Sequence, residues 1–255
     1  MIELRQAGSV LTVALNRPES HNAMVPDMIQ DLAAVFEDVG RRDDVRVVVL
    51  TGNGRSFCAG ADLAFMRAAA DYSFEQNVAD GEAIFDLMMK VDQCPKPVVG
   101  RVNGTAIGGG VGLVSCCDIV VAVARAQFGF SETRLGILPA VISPFVLAKI
   151  GPSNGRELFL TGERFDAHHA GRIGLVHHVV EDEAELDDKV NERMTQLLQA
   201  APGAQAAAKE LIRAFAYQPQ ETIREYTTEL IAQRRASDEG REGMSAFLEK
   251  RKPSW

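Results

Sequence analysis

Apolar positions recur along the chain with two periods, and the changes between them mark out the elements. Val10-Leu11-Thr12-Val13-Ala14-Leu15 alternates as one member of a half-buried antiparallel pair, and Asn16-Arg17-Pro18 ends it. From Pro26 to Arg41, Met28, Leu32, Val35, Phe36 and Val39 recur at helical spacing, with proline in the first turn. Val45 to Leu50 is an unbroken apolar run, as expected of a strand buried on both faces. Residues 74–90 then read as a helix, Pro97 to Val102 as the next buried strand and Ile119 to Val123 as a third. Strand, turn and helix thus succeed one another repeatedly, which predicts an α/β fold with a parallel sheet covered by helices. After about residue 185 the period is helical throughout. Residues 189–199, 205–215, 221–235 and 243–250 read as amphipathic helices, punctuated by Pro202-Gly203 and Gln218-Pro219. The expected organisation is an α/β core, residues 1–190, followed by a C-terminal helical region, residues 191–255.

The chain has 255 residues, 46% of them hydrophobic, enough for one sizeable core. Its formal net charge of −8 argues against non-specific nucleic-acid binding. An anionic ligand would have to be held by local basic groups or helix N-termini. None of the four cysteines forms a C-x-x-C pair. Adjacent Cys116 and Cys117 read as buried free thiols in a strand-like stretch, and the set points to a reducing compartment. Residues 1–5 lack an apolar signal core and no stretch has the length of a membrane span. A cytoplasmic protein without nucleic-acid or membrane partners is expected. The histidine pairs His168-His169 and His177-His178 have no acidic or cysteine partner at ligand spacing, so no metal site is expected. They read as solvated or capping side chains.

Two glycine-rich turns hold the candidate chemistry. Ser56-Phe57-Cys58-Ala59-Gly60-Ala61-Asp62-Leu63 and Ile107-Gly108-Gly109-Gly110-Val111-Gly112-Leu113 each follow an apolar run and open a helical pattern. A helix start leaves N–H groups unpaired and carries partial positive charge. Two starts aimed at one point would hold a developing oxyanion. The G-G-G-x-G spacing departs from the dinucleotide fingerprint, and the strand before it is not the first of the fold, which disfavours an NAD-binding module. Asp62 reads as an N-cap.

Further motifs follow in order: Asn16-Arg17-Pro18, Asn22-Ala23, Lys96-Pro97, Asn103-Gly104, Cys117-Asp118-Ile119, Ala126 to Gly129, Glu132 to Gly136, Thr161-Gly162, Gly174-Leu175-Val176 and Phe247 to Pro253. With the glycine turns, this series resembles the crotonase, or enoyl-CoA hydratase/isomerase, superfamily over nearly the whole chain. The resemblance implies a crotonase-like ββα-repeat core with a C-terminal helical trimerisation region. It also implies a homotrimer or homohexamer, an acyl-CoA thioester as substrate, and no cofactor beyond the coenzyme A of that substrate. By the same resemblance the amides of Ala61 and Gly109 form the oxyanion hole and Glu132 is the catalytic carboxylate. Ala59, Asp62, Leu63, Ile107, Gly108 and Gly136 would contact the CoA ester. Phe247 and Lys250 would reach the nucleotide, usually that of a neighbouring subunit. His21 falls in the loop that borders CoA.

One position departs from the pattern. Two-glutamate hydratases of the superfamily carry their second glutamate where this chain has Gly112. A single carboxylate that shuttles a proton resembles the Δ3,Δ2-enoyl-CoA isomerases instead. Yet Ser131 to Gly136 and Pro139 to Pro144 resemble the branched-chain, methylglutaconyl-CoA-type hydratases. The resulting expectation is a lyase that hydrates a 2-enoyl-CoA, with an isomerase and a non-catalytic acyl-CoA binder as alternatives. Phe65, Met66, Phe130 and Ile142 are expected to wall the acyl pocket. Arg134 would meet a substrate carboxylate or form a structural ion pair.

Overall fold

The apolar runs pair side by side in the computed structural model, which describes residues 1–69, 71–217 and 220–255. Strands β1 (Ile2–Ala7) and β2 (Val10–Leu15) form an antiparallel hairpin with Ile2 opposite Leu15. β2 then pairs in parallel with β3 (Val47–Gly52), which is buried at every position. β5 (Val98–Val102), β7 (Ile119–Val123) and β10 (His178–Val180) extend the same sheet in parallel, in the order β1-β2-β3-β5-β7-β10.

A second, smaller sheet is built from strands of three residues each: β4 (Ser56–Cys58), β6 (Thr105–Ile107), β8 (Gln127–Gly129) and β9 (Arg164–Asp166), in that order. The two sheets grow together. After β3 the chain turns through Asn53-Gly54 into β4; after β5 it turns through Asn103-Gly104 into β6; after β7 it enters β8. Each coil of the chain therefore adds one strand to each sheet before a helix returns it. β4, β6 and β8 are mutually parallel, so Cys58, Ile107 and Gly129 end at one edge. The carboxyl ends of parallel strands are where such folds receive ligands.

The returning helices are α1 (Pro26–Arg41), α2 (Leu63–Ala69), α3 (Phe74–Asp92), α4 (Gly109–Cys116), α5 (Ser143–Thr161) and α6 (Ala167–Arg172). α1 buries Met28, Leu32, Phe36 and Val39, four of the five positions the helical period singled out, and leaves Val35 half-buried. α3 starts with a reciprocal capping box between Ser73 and Gln76. α5 breaks at Gly151 (φ 72°), ahead of Pro152, into two helical halves. Cys116 and Cys117 are corrected by this arrangement: they end and cap α4, not a strand. Val111 to Cys116 is buried on all sides, so its sequence carries no helical stripe to distinguish it from a strand.

The C-terminal helices are α7 (Glu183–Gln199), α8 (Pro202–Tyr217), α9 (Gln220–Ala236) and α10 (Asp238–Leu248). α7 begins six residues before the helical period is clear, because Asp182 caps it by accepting from the Glu185 N–H. It packs on β5 and β7 and buries Leu186 and Val190, so the change in character near residue 190 falls within a helix. α8 is fastened to the core by Lys209, which donates to Asp118 (2.6 Å) and to the Lys96 carbonyl. Gln218-Pro219 lies outside the described residues.

Candidate active site

The two glycine turns meet in the interior. A Cβ built on Gly110 would sit 2.3 Å from the Cys58 carbonyl oxygen, and one on Gly60 would sit 3.0 Å from that of Ile107. Only residues without side chains allow main chain to approach so closely. The loop Arg17–Met24 is welded to the first turn from below. Asn22 donates to the carbonyls of Asn53 and Ser56 and accepts from the Arg17 N–H, while the Ala59 N–H donates to His21.

Met24 pairs with the first turn as an isolated parallel bridge. Its N–H donates to Gly60 and its carbonyl accepts from Asp62, so Ala61 turns its own N–H away from this partner. Asp62 then caps α2 by accepting from Ala64 and also holds Arg17 at 3.0 Å. These contacts keep its carboxyl below the usual range, the Ala64 N–H first among them. Asp62 is therefore an architectural group beneath the cavity, as its N-cap reading implied, and its carboxylate does not face the cavity.

The second turn reverses at Gly108, whose φ of 52° and ψ of −119° suit glycine alone. Its N–H donates to Gly129, which leaves Gly109 as the first helical residue of α4. Among the described residues, neither Ala61 N–H nor Gly109 N–H donates to any protein group. Both residues line a cavity of about 590 Å³.

Glu132 enters the same cavity from the short 3-10 turn Ser131–Leu135. Its carboxylate lies over Gly108, with Oε1 3.0 Å from the position a Cβ there would take. Oε2 is buried and has no hydrogen-bond partner. Burial raises the Glu132 pKa above the usual glutamate value, and its own backbone N–H only partly offsets this. Among the described residues, no other aspartate or glutamate lines the cavity. A carboxylate of raised pKa beside unengaged amide donors can exchange a proton with a carbon acid whose negative charge the donors hold.

The remaining sequence-predicted residues divide. Ala59, Leu63, Ile107 and Gly108 line the cavity with the central three, as do His21, Met66 and Ile142. Phe130 does not: it is fully buried and packs edge-on against Phe159 (centroids 4.7 Å apart). Phe65 does not line it either, and Gly136 is the left-handed cap of the Glu132 turn. Phe247 is 83% exposed on α10 and, like Lys250, stands outside the cavity. Arg134 forms no ion pair among the described residues; its Nε donates to the Thr161 carbonyl. His177 accepts from the Val120 N–H, and burial drives its pKa down to about 4.

Sequence reasoning missed the loop from Leu135 to Val141, which supplies an apolar wall facing Ile84 of α3, and it missed Thr105 and Arg164 of the small sheet. The exposed apolar trio Leu135, Ile137 and Leu138 was the available signal for the loop. No cluster of His, Cys, Asp or Glu able to hold a metal occurs among the described residues. A second cavity, about 620 Å³ between the outer sheet face and α7, is lined by Arg5, Thr51, Arg101 and Asp187 and contains none of the predicted residues.

Position 112 is closed. A Cβ on Gly112 would lie 2.5 Å from Ile142 Cγ2 and 3.1 Å from Met88 Cε. The space where a second carboxylate would emerge is filled by Ile142, which itself lines the cavity.

Comparison with known proteins agrees with this geometry. The sequence profile described as enoyl-CoA hydratase/isomerase matches residues 5–255, and the chain belongs to that family. It is similar to the crotonyl-CoA hydratase of Syntrophomonas wolfei, at 33% identity over 260 residues, covering 100% of this chain and 97% of the relative. Its fold matches the crystal structure of an enoyl-CoA hydratase from Shewanella pealeana with a TM-score of 0.95, at 38% identity, covering 100% and 95% of the two chains. It matches Pseudomonas aeruginosa AtuE with a TM-score of 0.96, at 39% identity, covering 99% and 98%.

Proposed function

We propose that the protein hydrates a 2-enoyl-CoA, with Glu132 as the one proton-transferring group and the amides of Ala61 and Gly109 as the oxyanion hole. The observation that carries this reading is the half-buried Glu132 carboxylate, its enclosed Oε2 without a partner, lying over Gly108 beside the unengaged Gly109 N–H. In the forward direction Glu132 takes a proton from water as its oxygen bonds to C3. The electron pair of the double bond moves into the thioester, whose oxygen becomes an enolate held by the two amides. Glu132 returns the proton to C2. One donor of this kind is worth roughly 2.7–4 kcal/mol of barrier.

Coenzyme A enters as part of the substrate, and no separate cofactor takes part. Ala59, Leu63, Ile107 and Gly108 line the path of the ester. Assembly as a homotrimer or homohexamer is supported by Phe247 and Leu248, large apolar side chains left exposed on α10. In such an assembly Phe247 and Lys250 serve the site of a neighbouring copy. No helix among the described residues is long and apolar enough to cross a membrane. Four buried free cysteines suit the reducing cytoplasm.

A second reading has its own support. Because position 112 contributes no carboxylate, Glu132 could take a proton from C2 of a 3-enoyl-CoA and return it to C4. Purified protein given 2-enoyl-CoA and 3-enoyl-CoA separates the two: hydration removes the absorbance of the conjugated thioester, and isomerisation creates it. Glu132→Gln is expected to lower kcat at least 100-fold with either ester, the upper end of general acid–base contributions being about 10⁴. Undiminished turnover by that variant would refute the assignment, and binding of the ester without turnover by the wild type would leave an acyl-CoA binder.

A further inference from the structure

The turn that bears Glu132 is fastened to the end of α5. Three carbonyls in the last turn of that helix have acceptor roles. Leu158 accepts from the Gly162 N–H through the left-handed cap, at 3.0 Å. Phe159 accepts from Thr133 Oγ1 at 2.8 Å, and Thr161 accepts from Arg134 Nε at 3.0 Å. Both side-chain donors come from the two residues directly after Glu132. On its other side, Phe130 packs edge-on against Phe159. A Cβ on Gly162 would lie 3.0 Å from Arg134 Cγ and 3.2 Å from the Phe130 carbonyl, so a bare cap is what lets the turn seat.

From this we infer that Thr133 and Arg134 are positioning residues for Glu132, and that the last turn of α5 is the platform that fixes its carboxylate. The inference rests on the reading of Glu132 given above. Helix-terminal carbonyls lack intrahelical donors, so a hydroxyl and a guanidinium satisfy them while tying down a turn that is otherwise a few residues of 3-10 helix. The Arg134 charge also suits the negative end of α5. Arg134 thus gains a role unlike either the substrate contact or the structural ion pair expected from its sequence position. Among the described residues no side chain donates to the carboxylate, whose Oε2 has no partner and which otherwise meets only its own backbone N–H. Its placement over Gly108 therefore depends on the turn.

The test compares Thr133→Val, Thr133→Ser, Arg134→Gln and Glu132→Gln by steady-state kinetics across pH. Thr133→Val keeps the shape of the side chain and removes the donor. It is expected to lower kcat about tenfold, well short of the loss from removing the carboxylate, with KM changed less than twofold, since displacement near 1 Å can cost up to 10²-fold. Freed from its seat, Glu132 gains water, so the acid limb of the kcat/KM profile should move to lower pH. The other ionisable side chains lining the cavity are His21 and Arg164. Thr133→Ser should restore both kcat and the limb, and Arg134→Gln should shift them in the same direction by less. If Thr133→Val lowers only the melting temperature, with kcat and the limb unmoved, the positioning role is overturned. If Glu132→Gln is itself fully active, the reading of the site fails instead, and the two failures are told apart.

Discussion

At the scale of single residues, the pair Gly112 and Ile142 decides what the cavity can contain. In a helix, alanine is ordinarily favoured over glycine by about 1 kcal/mol. Here the added methyl would meet the stiff, β-branched Ile142 at 2.5 Å, too close for either to yield cheaply. We expect Gly112→Ala to destabilise the native chain by about 1–2 kcal/mol, since overpacking of this kind typically costs 1–3. In an Ile142→Ala background the same change should be neutral or stabilising, because the remaining neighbour, Met88 Cε at 3.1 Å, is the end of a flexible side chain that can give way. Urea denaturation of the four variants measures this coupling, and equal effects in both backgrounds would contradict the steric account. It follows that a glutamate placed at 112 must displace Ile142 before its carboxylate can reach this cavity.

At the scale of elements, α8 is joined to the core through polar side chains, Lys209 and Arg213. Lys209 retains 10% of its side-chain exposure beside Asp118, which also accepts from the Val98 N–H. Nearby, the half-buried Lys149 donates to the Cys117 carbonyl, and desolvation lowers its pKa. Removing one member of a buried pair leaves the other charge uncompensated. Asp118 keeps some solvent contact, so Lys209→Met should cost about 1–3 kcal/mol rather than the larger figure for a fully enclosed pair. Hydrogen exchange should rise first in α8 and only later in the large sheet, and uniform loss of protection would show that α8 does not open on its own.

At the scale of the whole molecule, function and stability oppose each other at Glu132. Burial raises its folded pKa above the unfolded value. Its contribution to stability is therefore complete at acid pH, below the unfolded value, and lost as pH rises through the raised one. Near pH 7 the native state holds a charge that the unfolded chain would solvate better. Glu132→Gln should raise the melting temperature there, as read by calorimetry. The gap should close toward pH 4; a constant gap would mean that ionisation is not its cause.

Much of this architecture was legible in the sequence, for reasons that differ by part. The long strands of the large sheet showed because strands buried on both faces read as unbroken apolar runs, as at β3 and β7. Family motifs marked Ala61, Gly109 and Glu132, and the structure gathers them around one cavity. The small sheet was invisible, since three residues carry no period. Phe130 was misplaced because an aromatic next to a functional turn looks the same whether it faces a ligand or the Phe159–Phe165 cluster. The anchoring of Thr133 and Arg134 depends on carbonyls 26 and 27 residues away, a juxtaposition only the fold creates.

The unengaged donors at positions 61 and 109 belong to the main chain, so residue replacement at either leaves an N–H in place unless proline is introduced. Reactivity is thereby insulated from drift in side-chain identity. The apolar wall from Leu135 to Ile142 has no such protection, and it can diverge freely while the amides stay put. Descendants of this scaffold can accordingly change which hydrocarbon they accept far more readily than they can change how they polarise a thioester.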